Sequence, residues 1–202
     1  MNKRIVHDAL ILAAFTVVLG LILGAVYGLT RTRIEEEAYK KEQKAYKEVF
    51  ENADSFTAYS FDKDMAQKLM EDNNFKDEIV GVQVAEDETG LVLGYVISVT
   101  AKDGSQGSIT LSVGIQTNGT VNGYAITSIA ETPGLGMKAT DPEFKDQFKD
   151  KSETFFSVVK SDAKTDDQIT AITGSTITSK AVANAVNASI CYFLGLQSGE
   201  VQ

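Results

Sequence analysis

The sequence predicts an α+β protein: an N-terminal transmembrane helix, then one globular domain with a mainly antiparallel sheet flanked by helices. Three observations carry this expectation. Residues 9–29, ALILAAFTVVLGLILGAVYGL, form an uncharged run of 21 residues, long enough to cross a bilayer. Four apolar, β-rich segments follow between residues 79 and 129, separated by turn signals. A final stretch rich in Ala, Val and Asn reads as a long helix. The chain is thereby divided into an N-terminal tail (1–8), the transmembrane helix (9–29), a stalk helix and linker (30–58) and the globular domain (59–202).

Taken in order, the apolar run is flanked by Lys3 and Arg4 before it and by Arg31 and Arg33 after it. A cleavable signal peptide would need a shorter apolar core and a small-residue cleavage site, and Val26 before Gly28 is a poor one, so the segment is expected to stay as an anchor. Gly20, Gly24 and Gly28 fall on one helix face, which permits close approach of another membrane helix. Residues 31–52 mix Glu and Lys at helical spacing around Ile34, Ala38, Ala45 and Val49, the pattern of a stalk helix. A short helix is expected over 65–73. Strands are expected over 79–85, 91–100, 108–116 and 121–129, with turns at Asp87-Glu88-Thr89-Gly90, Lys102-Asp103-Gly104 and Asn118-Gly119, and tight turns between consecutive strands suggest an antiparallel meander. After a Pro/Gly-dense turn come a helix near 142–149, short strands near 155–159 and 168–172, and a last helix over about 179–194.

With 28 acidic and 19 basic residues the net charge is −9, which argues against nucleic acid as a partner, because phosphate neutralisation needs a basic face. The chain has one cysteine, Cys191, and one histidine, His7, so it can form no internal disulfide and has no Cys/His cluster for zinc, haem or iron–sulfur ligation. No catalytic residue and no metal site is expected. Cys191, among Ala, Ile and Phe, reads as a buried inert thiol, and His7 as an interfacial residue. If this chain moves electrons, a bound cofactor must carry them.

Two motifs stand out. Thr173-Gly174-Ser175-Thr176-Ile177-Thr178-Ser179-Lys180 crowds hydroxyls at the start of the last helix, where unpaired amides and the helix dipole favour an anion. Upstream lies Glu131-Thr132-Pro133-Gly134-Leu135-Gly136-Met137-Lys138. Together they resemble the FMN-binding domain of the G subunit of Rnf-type ferredoxin:NAD oxidoreductase complexes, and the chain is similar also to the C subunit of the sodium-translocating NADH:quinone reductase. In that family a Ser/Thr-Gly-Ala-Thr run holds FMN by a phosphoester to its last threonine, which falls on Thr176; Thr173 and Gly174 match, and Ser175 stands where alanine is usual. The family's acidic residue three positions before the run is Thr170 here, with Asp167 nearby but out of register. Gly104-Ser105-Gln106-Gly107 occupies the place of a family Gly-Tyr-x-Gly turn, its serine replacing the aromatic.

The resemblance implies covalent FMN on Thr176, with the phosphate oxygens near the amides of Gly174, Ser175 and Ile177 and the hydroxyl of Thr178. Glu131, Thr132, Leu135, Gly136 and Lys138 are expected on the opposite wall, Leu135 against the ring and Lys138 beside a reduced flavin. Threonine is a weak nucleophile with no evident base nearby, so a separate flavin transferase is implied. The resemblance also implies other membrane subunits as partners, a role as an electron relay coupling ferredoxin and NAD to sodium or proton movement, and a soluble domain on the extracytoplasmic face of the cytoplasmic membrane. Basic residues are denser after the span than before it, which taken alone would keep the domain inside; a long following domain dilutes that count. Three alternatives stay open: the C subunit of the quinone reductase, an anchored interaction subunit that never carries flavin, and a free-standing outer-face flavin reductase.

Overall fold

The computed structural model describes residues 3–199; Met1 and Asn2 of the expected tail, and Glu200, Val201 and Gln202 at the end of the expected domain, lie outside the described residues. The chain divides into two compact units, Met1–Lys41 and Glu42–Gln202. Helix α1 is assigned over Lys3–Val49, so the apolar run and the stalk segment share one helical assignment. Its most apolar window has a mean hydropathy of 2.7 with none of it buried, making it long and apolar enough to cross a membrane. Gly20, Gly24 and Gly28 have nothing within 4 Å of where a side chain would begin. In the stalk segment, Arg31–Glu35, Arg33–Glu36 and Lys40–Glu37 pair one turn apart on exposed faces, where solvent screening and side-chain entropy leave such pairs little weight.

The second unit is built on a five-stranded antiparallel sheet in the order β1-β2-β3-β4-β5, formed by Ser55–Ala58, Glu78–Glu86, Val92–Ala101, Ile109–Gln116 and Val121–Ser128. The four longer strands follow the expected meander. β1 departs from expectation: these four residues lie in the segment read as linker, and they pair with β2 from Ser55↔Glu86 to Ala58↔Gln83. Residues 42–54, read as stalk and linker, likewise belong to this unit. Helix α2 (Lys63–Asp72) is capped by Asp62, whose carboxylate accepts from the amides of Asp64 and Met65.

Alternation along the strands separates two cores. Ile97, Val99, Ile109, Leu111, Val113 and Ile115 face one side and pack with helix α4 (Thr176–Ser198), whose Ala181, Val182, Ala185, Val186, Ile190 and Phe193 are all buried. Each such valine, leucine, isoleucine or phenylalanine side chain removed from water stabilises the fold by about 1.5–3 kcal/mol. On the other side Val96, Ala85 and Ala125 pack with Ala45, Tyr46, Val49 and Phe50 at the end of α1. Two glycines open that face: a Cβ on Gly94 would meet the Phe50 ring at 2.7 Å, and one on Gly114 would meet Val49 Cβ at 2.8 Å. The Asn122 side-chain amide donates to the Val49 carbonyl (2.9 Å), satisfying an orphan acceptor at the helix end.

Beyond β5 the chain makes a 3₁₀ turn (Gly136–Thr140), then helix α3 (Pro142–Lys145) and a second 3₁₀ turn (Asp146–Phe148), the last two standing where the sequence predicts one helix near 142–149. β6 (Ser157–Val159) and β7 (Gln168–Thr170) pair in parallel as a separate ribbon. Helix α4 starts three residues earlier than expected, at Thr176, and ends on Gly199 in the left-handed region (φ 80°), a position suited to glycine. Cys191 is partly exposed rather than sealed: it lines a groove with Leu69, Phe75, Phe155 and Leu194.

Candidate functional site

The segments carrying both motifs and the Gly104–Gly107 turn converge on one cleft. Ser105, Gln106, Glu131, Thr132, Leu135, Gly136, Gly174, Ser175, Thr176, Ile177 and Thr178 line a space of about 390 Å³. Two glycines allow this. Gly174 has φ 79°, which L side chains rarely adopt, and a Cβ there would come within 3.2 Å of Leu135 Cδ2. A Cβ on Gly136 would sit 2.6 Å from Glu131 Oε2, 2.7 Å from Glu131 Cβ and 2.9 Å from Thr178 Oγ1. Glycine at both positions lets the loop after β5 press against the start of α4.

The start of α4 is held from behind. The Ser175 amide donates to the Ile172 carbonyl (2.9 Å). Fully buried Ser179 ties the turn, its Oγ donating to the Ser175 carbonyl and accepting from the Ile172 amide, both at 2.9 Å. Ser175 occupies the N-cap position, yet its hydroxyl makes no capping bond. Among the described residues the amides of Thr176, Ile177 and Thr178 therefore have no acceptor, and the Thr176 hydroxyl, half-exposed at the first helical position, has no partner. Donors in this arrangement, at the positive end of a 23-residue helix, suit a phosphate ester.

The facing wall is braced by Glu131, buried near the start of the loop after β5. Its Oε1 accepts from the amides of Ser105 (2.6 Å) and Gln106 (3.3 Å), drawing the Gly104–Gly107 turn to the cleft. Behind the loop Tyr124 donates to the Ala139 carbonyl at 2.7 Å; burial, with Asp146 nearby, pushes its phenol well above the usual tyrosine range, so it remains a donor. Leu135 and Ile177 leave apolar surface exposed beside the cleft, 43% and 61% of each residue. An anion cradle, a free threonine hydroxyl and flanking apolar surface together fit the phosphate, ester and ring of FMN.

The residues that the sequence singles out fall into two groups. Thr176, Gly174, Ser175, Ile177, Thr178, Glu131, Thr132, Leu135 and Gly136 share this cleft. Lys138 and Thr173 instead line a neighbouring cleft of about 450 Å³, with Asp141, Glu143, Asp162 and Thr170. Thr170, in the family's acidic slot, accepts from the Ala163 amide through its hydroxyl (2.9 Å) and is fastened to Gln147 by its own backbone. Ser105 and Gln106 are cleft residues that sequence reasoning does not select; their only signal is the pair of glycines around them.

Residues 104–190 match the family model described as an FMN-binding domain, and residues 1–49 the model described as the RnfG N-terminal region. The G subunit of the Na(+)-translocating ferredoxin:NAD(+) oxidoreductase complex of Acetobacterium woodii is 35% identical over 197 residues, covering 96% of this chain and 94% of that one. The G subunit of the proton-translocating ferredoxin:NAD(+) oxidoreductase complex of Clostridium ljungdahlii is 31% identical over 171 residues, covering 85% and 82%. The crystal structure of Shewanella oneidensis NqrC shares the fold, with a TM-score of 0.51 at 21% identity over 74% of each chain. The chain belongs to the family of G subunits of Rnf-type ion-translocating oxidoreductase complexes, and its globular part contains an FMN-binding domain.

Proposed function

We propose that this chain is the flavin-carrying relay of an Rnf-type complex that couples electron transfer between ferredoxin and NAD to the movement of sodium ions or protons. The observation that carries the reading is the cleft at Thr176, where three unpaired amides and a free hydroxyl meet a loop with exposed apolar surface. FMN would be attached through a phosphoester to Thr176 Oγ1 and would supply the capacity to take up and release electrons. The amides of Thr176, Ile177 and Thr178 would hold the remaining phosphate oxygens; Leu135 and Ile177 would shield one side of the ring from water. Lys138, in the neighbouring cleft, would act on a reduced flavin only through space, an effect of at most a few kcal/mol at an exposed position.

Residues 9–29 would form a single-pass anchor in the cytoplasmic membrane, with the domain on the extracytoplasmic face. There a covalent link would keep the cofactor from being lost by dilution. A flavin transferase would build the link, since among the described residues no side chain hydrogen-bonds the Thr176 hydroxyl to take its proton. The other subunits of the complex would supply and accept the electrons. A second reading, an interaction subunit that never carries flavin, is favoured by one feature: Thr170 in place of the usual acid, already committed to the Ala163 amide.

Co-expression of the full chain with a flavin transferase, followed by denaturing electrophoresis, separates the two. A fluorescent band that disappears in Thr176→Val is the expected result. A dark parent band, with intact mass equal to the bare polypeptide, would leave the second reading in place.

A further inference from the structure

Two side chains deep in the Thr176 cleft are almost wholly enclosed and still have a polar atom to offer. Thr178 is 1% exposed and Glu131 6%. Among the described residues Thr178 Oγ1 has no hydrogen-bond partner, and Glu131 uses only Oε1, on the amides of Ser105 and Gln106. Neither Thr178 Oγ1 nor Glu131 Oε2 is sealed from solvent, so the small exposed fraction of each residue includes the free atom, in the cleft that both line. The two atoms converge: a point built at Gly136 lies 2.6 Å from Oε2 and 2.9 Å from Oγ1.

Their chemistry selects what can meet them. A carboxylate oxygen only accepts, whereas a hydroxyl both gives and accepts. Phosphate oxygens are acceptors too, and like charge keeps them from Oε2. A ring presented by its apolar face satisfies neither atom. A chain of alcohol groups satisfies both, donating to Oε2 and exchanging donor and acceptor roles with Oγ1.

We propose that Glu131 Oε2 and Thr178 Oγ1 together bind the ribityl hydroxyls of the flavin, a subsite behind the phosphate cradle that selects a polyol-linked flavin over one with a plain alkyl chain. The proposal rests on the flavin reading above. Its logic is positional: the ribityl chain is joined directly to the phosphate, so a phosphate at the start of α4 brings those hydroxyls to the cleft before the ring. A ligand that displaced the water reaching this carboxylate oxygen and hydroxyl without pairing them would lose affinity, and the polyol pairs both.

The test uses the full chain in detergent, expressed without a flavin transferase and titrated with two ligands, each followed by quenching of its fluorescence. One is FMN; the other is an isoalloxazine whose N10 carries an unsubstituted phosphopentyl chain. The parent is expected to bind FMN about tenfold more tightly than the hydroxyl-free analogue. Thr178→Val should weaken FMN roughly 3- to 10-fold and leave the analogue unchanged. Glu131→Gln should do the same, and because that residue also braces the Gly104–Gly107 turn, Thr178→Val decides the matter if Glu131→Gln fails to fold. Parent-like preference for FMN in Thr178→Val, or equal weakening of both ligands, would overturn the subsite while leaving the flavin reading intact. A parent that binds neither ligand, and yields no fluorescent band with the transferase, would overturn both.

Discussion

Replacing Gly136 by alanine is expected to push the β5 loop off the start of α4 and so to damage stability and cofactor loading together. The new Cβ would lie 2.7 Å from Glu131 Cβ, 2.6 Å from Glu131 Oε2 and 2.9 Å from Thr178 Oγ1. Carbon atoms rest at about 3.5–4.0 Å, so the contact with Glu131 Cβ is short by about 1 Å. A Cβ is fixed to its backbone, so no rotamer relieves the overlap and the loop itself must retreat. Overpacking of this kind costs about 1–3 kcal/mol. Alanine also restricts the unfolded chain, which returns about 0.4–1 kcal/mol, since Gly136 has no positive φ to strain it. The net loss is about 1–2 kcal/mol, a fall in Tm of about 3–6 °C for a domain of this size. Thermal unfolding of the full chain in detergent, followed by tyrosine near-ultraviolet circular dichroism, reads the first effect; the flavinylated fraction after co-expression with a transferase reads the second. Gly81→Ala is the control, because its Cβ would meet only Ser98 Cβ at an ordinary 3.9 Å. A Gly136→Ala protein with the parent's Tm and full loading would refute the idea that close approach at this glycine builds the cleft.

Ser179→Ala should destabilise the domain by about 1–3 kcal/mol, because it strips the buried Ile172 amide of its acceptor, and should speed hydrogen exchange at that amide; unchanged exchange and Tm would contradict the role given to Ser179. Asp77 is buried, and that burial, with Asp103 adding to it against Lys102, raises its carboxyl to about 6. The unfolded value is about 3.9, so between these two pH values the folded state holds more protons than the unfolded one. Stability contributed here is therefore present at low pH and lost as pH rises through about 6. Discounted for the part of the group that solvent still reaches, the penalty at neutral pH is about 1–2 kcal/mol. Asp77→Asn should accordingly be more stable than the parent at pH 7.5 and no more stable at pH 4; a gain independent of pH would count against burial of the charge as its cause.

Much of the fold is legible because its signals are local. The meander between residues 78 and 128 is marked by alternation in each strand and by turns such as Asn118-Gly119, where Gly119 has φ 88°. The last helix is announced by its hydroxyl-rich start, although its first turn reads as part of the preceding loop; the hydroxyl of Ser175, at the N-cap position, makes no capping bond. β1 escapes because four residues are too few to show a period, and their pairing with β2 is a long-range choice. The parallel register of β6 and β7 escapes for the same reason, since short strands carry no mark of direction.

The candidate site divides along similar lines. Thr176 and the two glycine-containing motifs can be read directly, because a sharp turn and an anion-ready helix start both depend on neighbours in the chain. Ser105 and Gln106 enter the cleft only through Glu131, 26 and 25 residues away. Lys138 leaves it for the adjoining cleft because the 3₁₀ turn at Gly136–Thr140 redirects the chain after Leu135.

By itself, then, the order of residues determined the membrane-length apolar helix, the strand meander, and a hydroxyl-rich, glycine-containing turn leading into a helix, since each follows from periodicity or composition within a few residues. Only the tertiary structure decided that the end of α1 docks on the glycine-opened face of the sheet, that Glu131 and Thr178 meet across Gly136, and which of the chosen side chains share one cleft. Those outcomes depend on which distant surfaces can approach without overlap, a property that local spacing does not encode.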